Sequence, residues 1–122
     1  MEKKKTIFCD IDGTLFEYRK FESYETTPCT LLPGAKEKFD EWTDGGHMII
    51  LTTARPEYLR SHTVKELETH DLPYNKLIME IERGPRILIN DTDPNNPGRR
   101  AVGVNLNRDD GLINQRWEDL EL

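Results

Sequence analysis

The sequence predicts a single α/β domain, with a mostly parallel sheet and helices on both faces. Three observations predict it. Short apolar runs at residues 7–9, 48–51 and 87–89 have the composition of strands buried on both faces. Segments between the first runs carry apolar residues at helical spacing. The 122 residues fit one domain that buries roughly two thirds of its unfolded surface.

Taken in order, residues 7–9 form the first strand. Residues 15–33 interleave Phe16, Tyr18, Phe21 and Tyr24 with charged side chains, a pattern that fits either a small hairpin over the strand end or a loop that packs two or three aromatics. Ala35, Phe39 and Trp42 mark a helix over 34–43, stopped by Gly45-Gly46. His47 opens the strand at 48–51, and a structural role at the strand start accounts for it. Pro56 suits the first turn of a second helix whose stripe is Leu59, Thr63 and Leu67. Residues 76–79 form a short edge strand, 86–90 the next strand and 101–104 a last one. Ile113, Trp117 and Leu120 mark a terminal helix.

Charged residues make up 33% and hydrophobic residues 35%, the balance of a water-soluble chain. A net charge of −6 disfavours a general nucleic-acid binder held by counterion release. No run approaches the ~18 apolar residues of a membrane helix. The start Met1-Glu2-Lys3-Lys4-Lys5 leads only into a short strand, which is not the pattern of a signal peptide. Two cysteines, Cys9 and Cys29, make no disulfide framework, so a reduced, cytoplasmic protein is expected.

The chemistry is concentrated where strands end. The first strand runs into Asp10-Ile11-Asp12-Gly13-Thr14. Side chains alternate along a strand, so Asp10 and Asp12 share a face and repel unless a cation or a shared proton lies between them. The second strand ends in Thr52-Thr53-Ala54-Arg55 at a helix start, where free backbone N–H groups favour an anion. The strand at 86–90 ends in Asp91-Thr92-Asp93. Calcium-loop spacing fails at both acidic stretches, because Gly13 comes too early in one and Asn96 and Val102 replace Gly and Glu in the other. In an open parallel sheet, ligands bind outside the carboxyl ends of strands, so one crevice collects Asp10, Asp12, Thr52, Thr53 and Asp91.

An apolar strand followed by Asp-x-Asp-Gly-Thr is the first motif of the haloacid dehalogenase-like phosphatases, and this chain resembles that superfamily from Thr6 to about Leu106. Four such residues match by chance roughly once in 10⁵ positions. The resemblance implies a Rossmann-like fold and a Mg²⁺-dependent phosphomonoesterase. In that scheme Asp10 is the nucleophile and Asp12 the general acid and base. Asp10, Asp12 (through its carbonyl) and Asp91 hold Mg²⁺. Thr53, or alternatively Thr52, binds phosphate. A basic residue is drawn from Lys76, Arg83 and Arg86, with Arg83 preferred and Arg86 expected to point away from the strand end. Asp93 and Asn95 stand as neighbours of the metal set, and Asn90 departs from the family pattern.

The intervals between motifs are too short for a separate cap domain, so an open site is expected. The resemblance implies that open sites of this kind act on macromolecular ends or proteins, or on small molecules when a neighbouring subunit of a homo-oligomer covers them. The acidic balance favours a small phosphorylated metabolite, such as a sugar phosphate. The alternatives are a metal- or phosphate-binding module without turnover and a polynucleotide 3′-end phosphatase.

Overall fold

The computed structural model describes residues 3–120, so the first two residues of the basic start lie outside it. Three parallel strands form the sheet: β1 (Thr6–Asp10), β2 (Met48–Thr52) and β3 (Lys76–Ile78), in the order β1-β2-β3. Asp10 pairs in register with Thr52, and Thr52 with Ile78, so all three strands end on one rim. Residues 15–33 form a flap that closes on that rim. Glu17 N–H donates to Thr30 C=O at 2.8 Å and Leu32 N–H to Leu15 C=O at 2.8 Å, which joins the two ends of the excursion between them.

Helix α1 (Ala35–Asp44) buries Ala35, Phe39 and Trp42, as their spacing predicts. It ends in a Schellman arrangement: Gly46, at φ 77°, donates to Thr43 C=O, and His47 N–H donates to Trp42 C=O. His47 is buried, and its Nδ1 accepts the Lys5 N–H at 3.0 Å, a structural role. A 3-10 turn at Glu57–Leu59 leads into helix α2 (Arg60–Thr69), whose buried residues are Thr63, Glu66 and Leu67.

The core lies on one face of the sheet. Ile7, Cys9, Ile49, Leu51 and Leu77 share that face with Ala35, Phe39 and Trp42 of α1 and Leu67 of α2. The opposite face leaves Phe8 51%, Met48 41% and Ile78 44% exposed. The expectation of helices on both faces is therefore corrected: both helices contribute to the same core.

A second correction explains the first. Residues 86–90 and 101–104 form no strand, and Ile87 and Ile89 are almost fully exposed. A local apolar, β-branched run needs a partner strand before it becomes a strand. The sheet is open at β1 and at the outer side of β3, and residues 86–90 pair with neither. A parallel partner would need a crossover of about a dozen residues or more, and only residues 79–85 lie between β3 and this run. Backbone bonds from Glu80 N–H to Arg55 C=O and from Ile81 N–H to Thr53 C=O hold that connection beside β2. The terminal helix is likewise reduced to a 3-10 turn at Trp117–Leu120, with Trp117 packed edge-on against Trp42.

Stability measurements check this division. Phe39→Ala is predicted to cost about 3–5 kcal/mol by denaturant titration. Ile87→Ser and Ile89→Ser are predicted to change stability by no more than about 0.5 kcal/mol.

Candidate active site

Asp10 stands at the end of β1, half-buried, and its Oδ2 accepts the Thr14 hydroxyl at 3.1 Å. Among the described residues it forms no ion pair with a basic side chain. Burial pushes its carboxyl above the ordinary carboxylate range, and the charge of Asp12 adds to the effect. The Thr14 hydroxyl, the Ile11 N–H and the charge of Arg86 act in the other direction. Asp10 is thus a desolvated carboxylate without a side-chain countercharge bonded to it, an arrangement that favours a nucleophile or a cation ligand.

Asp12 is held differently. Arg55 grips it through both oxygens, Nε to Oδ2 at 2.9 Å and Nη2 to Oδ1 at 2.7 Å. This fork geometry fixes the plane of the carboxylate. Arg55 is fully buried, and its remaining nitrogen donates to Thr63 Oγ1 at 2.9 Å and to Glu66 Oε1 at 2.8 Å. Glu66 also accepts two bonds from Arg19, at 2.8 and 3.0 Å. The result is a buried chain of alternating charge: Asp12, Arg55, Glu66, Arg19. Both guanidinium groups lie over the Tyr24 ring, with centroid distances of 4.5 Å for Arg55 and 5.2 Å for Arg19. Burial and the neighbouring charge of Asp12 push the Tyr24 phenol up to about 12.

Burial alone would raise the Glu66 carboxyl, but hydrogen bonds from Arg19 and Arg55 hold it below the ordinary range. Burial works against the charge on Arg55, while Asp12 and Glu66 keep it protonated. The backbone positions the members. Arg55 N–H donates to Thr53 Oγ1 at 3.1 Å across the β2–α2 turn, and Thr63 and Glu66 project from one face of α2. Arg19 comes from the flap, where its Nη1 also donates to Thr27 C=O at 2.7 Å.

The structure brings Asp10, Asp12 and Thr52 to one rim, with Thr52 in register beside Asp10. Thr53 is buried next to it and engaged by the Arg55 N–H. Asp91 is not brought to this rim. It lies exposed on the unpaired segment, 3.0 Å from Arg100. Among the described residues no group of three or more acids, histidines or cysteines stands close enough to share a metal ion. Asp93 and Asn95 bond to each other in a tight local turn.

The basic candidates also separate. Arg83 lines a cleft of about 390 Å³ with Ala54, Pro56, Glu80, Ile81 and Glu82. Lys76 lies at the start of β3, opposite the rim. Arg86 donates to Gly84 C=O at 2.9 Å, and its charge is felt at Asp10. Sequence reasoning missed Arg19, Tyr24 and Glu66. Arg55 was visible in the Thr-x-Arg pattern but not its hold on Asp12.

Two stability predictions follow from these environments. Glu66→Gln leaves two buried guanidinium groups short of a countercharge and is predicted to cost about 3–5 kcal/mol at neutral pH. Since Glu66 is held below its unfolded value, that cost should shrink as pH falls through the carboxylate range. Asp10 has the opposite sign: its raised value makes the folded state bind the proton more tightly, so ionised Asp10 costs stability. Asp10→Asn is predicted to raise Tm at pH 7 and to give no gain once the pH lies below the ordinary carboxylate range.

Residues 7–90, which hold β1 through the exposed segment, match the model of the LNS2 domain of PITM 1-3. The LNS2 domain is a phosphatase-type domain of the haloacid dehalogenase-like superfamily. No curated protein matches the chain in sequence. Among solved structures, a chain of the Pnkp1/Rnl/Hen1 complex superposes with a TM-score of 0.56 at 22% identity, over 69% of this chain and 30% of that one. A crystal structure of a Vibrio cholerae protein superposes with a TM-score of 0.52 at 20% identity, over 68% of this chain and 78% of that one. Both likenesses concern the fold, and this chain spans less than a third of the first neighbour's length. Among the described residues no helix is long and apolar enough to cross a membrane. With Asp10 and Asp12 at the head of the matched stretch, the chain belongs to the LNS2 domain family.

Proposed function

We propose that this chain is a Mg²⁺-dependent phosphomonoesterase that works through an aspartyl-phosphate on Asp10 and acts on a small phosphorylated metabolite. The observation that carries the reading is the contrast between two acids two residues apart. Asp10 is desolvated and has no side-chain countercharge bonded to it, while Asp12 is clamped by Arg55. One is free to attack and the other is held in a fixed orientation for proton transfer.

Mg²⁺ binds through one or two carboxylates, substrate phosphate and several waters. The residues present fit that minimal demand. Asp10 offers a carboxylate without a bonded cation, and the backbone carbonyl of Asp12 stands next to it in sequence. Asp12's own carboxylate is committed to Arg55, and Asp91 lies outside the set. When bound, the ion would screen the repulsion between phosphate and the attacking carboxylate.

Asp10 Oδ attacks phosphorus, and the P–O bond to the leaving group breaks. Asp12 delivers a proton to the departing oxygen, then accepts one from the water that attacks phosphorus and releases Asp10. Arg55 keeps the Asp12 carboxylate in one plane throughout, using one lone pair on each oxygen. Thr52 or Thr53 supplies a hydroxyl to the phosphoryl oxygens, and Arg86 supplies positive charge near Asp10.

The position of Asp91 favours one second reading, a phosphate-binding module of this fold without turnover. One assay separates the two. The purified chain with Mg²⁺ is predicted to hydrolyse p-nitrophenyl phosphate and to lose activity with EDTA. Asp10→Asn is predicted to reduce kcat by at least about 10³-fold, as expected on removal of a nucleophile. Phosphate binding with no hydrolysis at any Mg²⁺ concentration supports the module and contradicts the enzyme.

A further inference from the structure

We infer that Arg108, stacked on Tyr18 at the edge of the acid-bearing loop, is a specificity residue that selects small phosphomonoesters carrying a second phosphate. The inference rests on the phosphomonoesterase reading and adds a substrate class to it.

The loop at 107–112 is tied to the site from two directions. Asp109 N–H donates to Gly13 C=O at 2.9 Å, and its Oδ1 accepts the Tyr18 N–H at 2.7 Å. Further on, Leu112 N–H donates to Pro33 C=O at 2.9 Å. Gly111, at φ 77°, permits that approach, since a Cβ there would collide with the Pro33 carbonyl. Asp109 itself adopts φ 68°, a turn conformation that Asp tolerates and that these bonds hold in place. The residue between the bonds to Gly13 and the preceding polar connection is Arg108.

Its side chain is placed as firmly as its backbone. The aliphatic stem lies against Gly13, so closely that a Cβ there would stand 3.2 Å from Arg108 Cγ. The guanidinium lies 4.0 Å from the centroid of the Tyr18 ring. Among the described residues no carboxylate forms an ion pair with it. Arg19 and Arg55 are both consumed by the buried chain, and Arg86 is the basic residue felt at Asp10. Arg108 therefore lies against Gly13, the residue that follows Asp12, without a carboxylate partner among the described residues.

Stacking leaves the in-plane N–H groups of a guanidinium pointing outward, where they match the oxygens of a phosphate. It also prepays part of the entropy of ordering a long side chain, so an incoming anion gains more from the contact. In a chain of net charge −6, an arginine against Gly13 with no carboxylate partner among the described residues would offset part of the repulsion a doubly phosphorylated substrate meets.

The test compares matched pairs: a hexose bisphosphate against the hexose 6-phosphate, and a nucleoside 3′,5′-bisphosphate against the 3′-monophosphate. The wild-type chain is expected to favour the bisphosphate by about tenfold or more in kcat/KM in at least one pair. Arg108→Ala should abolish that preference, Arg108→Lys should keep part of it, and Tyr18→Leu should weaken it. Turnover of p-nitrophenyl phosphate should stay within about twofold in Arg108→Ala, whose exposed position leaves folding intact. A preference unchanged in Arg108→Ala, an equal loss on p-nitrophenyl phosphate, or no preference in the wild type overturns the assignment of Arg108 alone. A wild-type chain that hydrolyses none of these esters overturns the phosphomonoesterase reading, and this one with it.

Discussion

The rest of the site depends on the buried chain of charge that runs from Asp12 through Arg55 and Glu66 to Arg19. Four charges are withdrawn from water, and each is met by an opposite charge at 2.7–3.0 Å. Such a network tolerates no missing member, because one unpaired buried ion costs more than the pair contributes. It ties together three elements that also share the apolar core: the loop after β1, α2 with the turn before it, and the flap. The flap is thereby fastened to the sheet by electrostatics and hydrogen bonds. One atom in it, Arg19 Nε, is buried with no partner, so the network is close to complete but not saturated.

That constraint gives the two neighbouring acids different characters. A pair of carboxylates in one half-buried loop would ordinarily share a proton or a cation. Here Arg55 takes Asp12, and Asp10 is left with a hydroxyl, a backbone N–H and the charge of Arg86. The division of labour needed by a nucleophile and an acid–base partner follows from which acid Arg55 can reach. Arg55 reaches Asp12 because it is fixed from behind by Thr63 and Glu66 on α2. The distance between strand end and helix face is therefore part of the chemistry.

Much of this was legible in the residues. Apolar runs placed β1 and β2, helical spacing placed α1, and the sheet rim followed from where each run met its acids or threonines. Glu66 was not legible, since a charged residue in a helix is ordinarily solvated and only the position of Arg55 makes it a buried partner. Arg19 reads as one of several flap charges for the same reason. The strand expected at 86–90 failed in an instructive way. Its composition is that of a strand, but Ile87 and Ile89 can join the sheet as a parallel partner only through a crossover longer than residues 79–85 allow. The helix lengths carried a similar signal, because both helices face one side and leave Phe8, Met48 and Ile78 uncovered.

The central claim is that Asp10, and not Asp12, forms the bond to phosphorus. Crystals of the chain grown with Mg²⁺, beryllium and fluoride test it most directly. The account predicts trifluoroberyllate bonded to a carboxylate oxygen of Asp10, with Arg55 still gripping Asp12 through both oxygens. Beryllium bonded to Asp12, or absent from both acids at saturating fluoride, would contradict it.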